Sequence, residues 1–118
     1  PNGLCMRYDN LEYTQGERGP EFSYLTRNGR NRIYGGKVTE NICQALARII
    51  IGEQLLLISR KYRVVMTVHD SIVCNVPEQE VKEAQQYIEK CMRYIPSWCT
   101  GMPLDCESGF DKTYGGCE

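Results

Sequence analysis

The chain has one histidine, His69, and it stands directly before Asp70 and Ser71. Short β-branched runs lie on either side, Val64–His69 and Ile72–Val76, with Asp70-Ser71 between them. Two such runs with a two-residue gap read as a hairpin, which brings imidazole and carboxylate together at an exposed tip. A carboxylate on a short, stiff turn is a hard oxygen ligand of the kind Mg²⁺ takes. Equally, an Asp in a turn can bond its own backbone beside a half-buried His. A Ser-His-Asp relay is excluded, because three contiguous side chains diverge and cannot hydrogen-bond in series. Asp-Ser is also a poorer turn former than Asn-Gly or Asp-Gly, so something besides turn energetics must account for it.

A second set of polar residues, Lys37, Asn41, Gln44 and Arg48, recurs at i, i+4, i+7 and i+11. That spacing is one face of an α-helix. The helix is expected from about Val38 to Arg60, and outside the stripe it is apolar nearly all round, which predicts a long buried helix. A polar stripe on such a helix must face water or a polar partner. If the partner is DNA, Lys37 and Arg48 supply phosphate contacts.

The elements that must position these residues follow from the rest of the pattern. Residues 1–34 are rich in Gly, Asn, Arg and Tyr. They suggest one or two hairpins, with strands at Leu4–Tyr8 and Glu21–Arg27 and turns at Asp9-Asn10 and Arg27-Asn28-Gly29. Tyr34-Gly35-Gly36 reads as a turn. Pro77 opens a second, amphipathic helix whose apolar stripe is Val81, Ala84, Ile88, Cys91 and Ile95, and Pro96 ends it. Leu104–Ser108 alternates as a last strand would. The fold class is α+β, with helices on one face of a small antiparallel sheet.

With 118 residues the chain is of single-domain size. The expected division is a β-hairpin arm over 1–34 and a main body over 35–118. The apolar run from Ile42 to Ile58 is interrupted by Gln44, Arg48, Glu53 and Gln54, which argues against a membrane span. Net charge is −1, yet residues 1–63 carry ten Lys/Arg against six Asp/Glu, and residues 64–118 carry four against nine. A basic half suits a polyanion and an acidic half suits metal cations; chance produces such splits too. Seven cysteines without C-x-x-C spacing read most economically as free thiols, the alternatives being a Cys-only metal site or a disulfide framework.

The segment Val68-His69-Asp70-Ser71-Ile72-Val73 resembles motif C of the family A DNA polymerases, the bacterial DNA polymerase I type. Lys37–Arg48 resembles the Asn/Gln-bearing palm helix upstream of it, most closely in phage members. Pro77 onward resembles the helix after motif C, and Pro96-Ser97-Trp98, Met102-Pro103-Leu104 and Glu107 resemble the end of such polymerases. The likeness covers nearly the whole chain in the right order.

The resemblance implies a C-terminal palm segment of a DNA-directed DNA polymerase, a nucleotidyltransferase. Asp70 would be one of two carboxylates that hold two catalytic Mg²⁺ ions, His69 would lie near the primer terminus, and Gln44 would touch the minor groove of the nascent pair. Donors placed there test pair shape, because acceptors occupy similar positions in all four pairs. Asn41, Arg48 and Lys37 would complete the DNA-binding set. The implied partners are primer–template DNA, deoxynucleoside triphosphates and the rest of the polymerase, in the host cytoplasm if phage-encoded.

The sequence also departs from the family pattern. Ser71 stands where a second acid is usual, and Glu40 stands where the bacterial pattern has Asn, with Asn41 one step along. No counterpart of the upstream metal-binding Asp motif or of the fingers helix is found. The isolated chain is therefore expected to be inactive and, with its packing surfaces open, to self-associate. A polymerase-derived DNA-binding or assembly module without chemistry is the alternative.

Overall fold

A computed structural model describes residues 1–16 and 19–117. The chain is α+β, with two small antiparallel sheets and two helices rather than the single sheet expected from sequence. It divides into two compact units, Pro1–Leu46 and Ala47–Glu118.

The first unit is built on a meander of β1 (Glu12–Gly16), β2 (Gly19–Thr26) and β3 (Gly29–Ile33). Leu4–Tyr8, expected as a strand, has no regular structure. It is fixed by single contacts: the Leu25 amide donates to the Asp9 carbonyl at 2.8 Å, and the Tyr8 and Tyr24 rings meet edge-on at 5.1 Å. The first strand lies instead at Glu12–Gly16, an almost fully exposed run that carries no apolar alternation. The β2–β3 turn falls at Arg27-Asn28 as expected. Thr26 and Gly29 close it, and Gly29 alone takes a positive φ, 112°.

Helix α1 (Gly35–Ile58) begins at the glycine pair that was read as a turn. Gly is unfavourable in a helix interior but tolerable in the first turn, whose N–H groups lack partners anyway. Tyr34 accepts the Val38 amide at 3.0 Å and sets that turn. The helix is not buried. Of its 24 residues only Ile50, Gln54 and Ile58 are inaccessible, while Ile42 and Leu56 are 42% and 62% exposed. Two thin sheets and one short helix offer too little apolar surface to enclose a 24-residue cylinder. By length and hydropathy alone α1 could cross a membrane. What argues against a span is that two polar residues in its second half have protein partners: Glu53 accepts the Trp98 indole N–H at 2.9 Å, and buried Gln54 donates to the Met92 carbonyl.

The second unit contains β4 (Arg63–Val68), β5 (Ser71–Asn75), a 3₁₀ turn at Glu78–Glu80 and α2 (Val81–Met92). Pro77 precedes the 3₁₀ turn rather than opening the α-helix directly. The α2 stripe packs inward from Val81 to Cys91, with Ala84 and Cys91 buried, but the helix ends at Met92 and Arg93 forms its C-cap, which leaves Ile95, expected on the stripe, outside the helix and exposed. The Arg93 amide bonds the Glu89 carbonyl, and the chain beyond turns away to bury Pro96. The core is Ile50, Ile58, Tyr62, Ala84, Cys91 and Pro96.

Leu104–Ser108 is not a strand. Its ladder is replaced by side chains from α2. Arg93 Nε donates to Asp105 at 2.7 Å, Arg93 Nη2 donates to the Cys106 carbonyl, and Gln85 Nε2 donates to the Ser108 hydroxyl at 2.8 Å. The Ser108 hydroxyl and Arg93 hold the Glu89 carboxyl below its usual range, and Arg93 does the same for Asp105. All seven cysteines are free.

Candidate functional site

The hairpin β4–β5 exists because its residues are β-branched or apolar in two short runs, and branched side chains fit a pleated surface. Its register holds a bulge. Val64 pairs with Cys74 and Met66 with Val73, so Val65 has no partner and is 53% exposed. A bulge inserts one residue and re-aims everything beyond it. Val68 and Ser71 then form the last pair, and the two turn residues are His69 and Asp70, one position earlier than the expected Asp70-Ser71.

His69 takes φ 54°. Glycine is usual at the first central position of a hairpin turn with positive φ. An L-residue there costs on the order of 1 kcal/mol, although His tolerates the region better than most. The strain sets both side chains at the tip, where both are exposed. Among the described residues neither enters a hydrogen bond or an ion pair. Asp70 therefore does not spend its oxygens on its own turn backbone, as a purely structural turn Asp would. It fits a divalent cation as a single hard ligand. Among the described residues no group of three or more His, Cys, Asp or Glu is arranged to hold a metal, so the donors of a complete site would have to come from elsewhere.

The polar stripe divides by partner. Lys37 pairs with Glu40 at 2.9 Å, and this hydrogen bond holds the ammonium above its ordinary pKa. Gln44 Nε2 reaches the other oxygen of Glu40 at 3.4 Å. Asn41 is half-buried and donates to the Tyr8 hydroxyl at 3.0 Å, which ties the helix to the irregular N-terminal segment. Arg48 is exposed and makes no ion pair among the described residues. Lys37, Asn41 and Gln44 belong to the first unit, and Arg48, His69 and Asp70 to the second.

Glu40 and Tyr8 partner these residues, a role that the sequence reading does not assign to either. Glu40 sits three after Lys37 and four before Gln44, so the helical spacing alone places it on their face. Tyr8 has no such signal, because its role depends on a chain reversal that local pattern does not encode.

No family model matches the chain, and no solved structure matches it. The DNA polymerase of Bacillus phage SP02 is 39% identical over 87 residues, which cover 73% of this chain. The chain spans 13% of that polymerase's length. The sequence is thus related to one part of a phage DNA polymerase.

Proposed function

We propose that the chain is the C-terminal palm segment of a phage-like family A DNA polymerase, with 1–34 as a hairpin arm and 35–118 as the palm portion. The reading rests chiefly on one observation: the uncommitted Asp70 carboxylate beside His69 at a strained hairpin tip, in a polymerase-related chain. On this reading the protein works in the host cytoplasm on primer–template DNA and deoxynucleoside triphosphates. Mg²⁺ ions at the completed site supply Lewis-acid activation and charge neutralisation for nucleotidyl transfer. Asp70 contributes one oxygen ligand and a second carboxylate comes from outside this chain. His69, fixed by the turn, stands at the primer terminus. Gln44 offers an amide N–H to minor-groove acceptors, and Lys37 and Arg48 bind phosphate. Asn41 positions the helix through Tyr8.

Primer extension tests the assignment. The purified 118-residue chain is assayed with Mg²⁺ and deoxynucleotides, alone and mixed with an upstream polymerase fragment that carries the second metal-binding Asp. Two-metal transfer needs ions roughly 3.5–4 Å apart, held from both sides, so extension is expected only in the mixture and is lost with Asp70→Ala. Extension by the chain alone, retained on repurification and lost in Asp70→Ala, would reveal a complete enzyme. DNA binding without extension in either sample would favour a non-catalytic module.

A further inference from the structure

The polar face of α1 contains a carboxylate where a DNA-binding stripe has no use for negative charge. Glu40 is the sole acid in the helix before Glu53. Its two oxygens are divided between the two neighbours that the proposed function assigns to DNA. Oε2 holds Lys37 Nζ at 2.9 Å, and Oε1 faces Gln44 Nε2 at 3.4 Å. Lys37 and Glu40 are each about half exposed, 46% and 48% by side chain, so the group lies open to solvent and to whatever docks there.

These contacts have two physical consequences. A carboxylate accepts but never donates, so it selects the amide orientation that turns the Gln44 NH₂ group toward it. That leaves one N–H of the amide free, and the carbonyl is directed away. The paired charge also weakens the pull of Lys37 on an approaching phosphate, and Glu40 itself repels the phosphate backbone. Affinity that depends on counterion release is lowered by such a group, while contacts that depend on shape are untouched.

We infer that Glu40 is a specificity-determining residue, which weakens the hold of Lys37 on phosphate and orients the Gln44 amide so that this face tests base-pair shape more than it grips any backbone. The inference rests on the proposed reading that the face meets DNA. It differs from a structural role in sign. Loss of a merely structural ion pair would weaken binding, whereas loss of Glu40 should strengthen it and blur discrimination.

The test uses the full polymerase with this segment in place and a primer–template duplex whose terminal pair is matched or mismatched. Glu40→Gln should tighten binding to both duplexes several-fold and steepen the dependence of log K on log salt by about one, the contribution of one freed cation. It should also lower the ratio of matched to mismatched extension. Adding Lys37→Ala should remove the affinity gain. Adding Gln44→Ala should make discrimination no worse than Gln44→Ala alone, because both act through one amide. Unchanged or weaker binding in Glu40→Gln, while Gln44→Ala and Arg48→Ala still alter discrimination and salt dependence, would overturn the role of Glu40 and leave the DNA-facing reading intact. If none of these variants changes any DNA parameter, the reading falls and the inference falls with it.

Discussion

Two tight hairpin turns among the described residues solve one problem in opposite ways. At Arg27-Asn28 the backbone is relieved by Gly29, which takes φ 112° with open space where a Cβ would stand. Thr26 then locks the turn, its hydroxyl donating to the Gly29 carbonyl at 2.7 Å and accepting the Asn28 amide. At His69-Asp70 there is no glycine, no capping hydroxyl, and a histidine holds the left-handed conformation. The first turn follows the cheapest local chemistry. The second departs from it at the two residues with the richest chemistry. A strained conformation in a place that glycine could occupy is retained when the side chain matters more than the strain.

Substitutions that exchange the two solutions sharpen this contrast. Asp70→Asn carries the largest effect. In the complete polymerase it should lower turnover by several orders of magnitude, with DNA affinity nearly unchanged, because the amide keeps the shape and loses the charge. Near-normal turnover would overturn the proposed role of Asp70 as a metal ligand. Gly29→Ala should destabilise the chain by about 1–3 kcal/mol, since a Cβ is strained at that φ whatever the room around it; chemical denaturation of the purified chain reads this directly. His69→Gly should do the reverse and leave stability unchanged or raised by up to about 1 kcal/mol, relief of strain being offset by the entropy glycine loses on folding. The same variant should impair extension. A loss of more than about 1 kcal/mol on His69→Gly would mean that the tip is not strained, and the contrast between the turns would collapse.

Much of this architecture is legible in local pattern. The β4–β5 hairpin and the inward stripe of α2 follow from branched runs and from 3.6-residue spacing. The hairpin tip falls one residue before the position the pattern predicts, because the positive φ falls on His69 and no glycine marks it. β1 leaves no signal in the pattern, because an exposed strand has no buried face to imprint alternation on Glu12–Gly16. The apolar composition of α1 suggested burial, but burial also requires a partner surface. The Asp70 site was readable as residue types on a turn. The engagement of Asn41 by Tyr8 was not, since 33 residues separate the two groups and only the fold joins them. Glu40 is visible in the sequence as a departure from the family pattern, but its pairing with both Lys37 and Gln44 is settled only by side-chain geometry.

The segment 104–108 has an evolutionary consequence. A strand would be held by backbone groups that every residue possesses, so few single substitutions could free it. Here the attachment is written in side chains: Arg93 holds Asp105 and the Cys106 carbonyl, while Gln85 and Glu89 hold Ser108. One codon change at Arg93 removes the hold on Asp105 and Cys106 and leaves Ser108 as the remaining anchor, with α2 and the core intact. The course of the chain after α2 is therefore expected to vary more among relatives than the helix to which it is fastened.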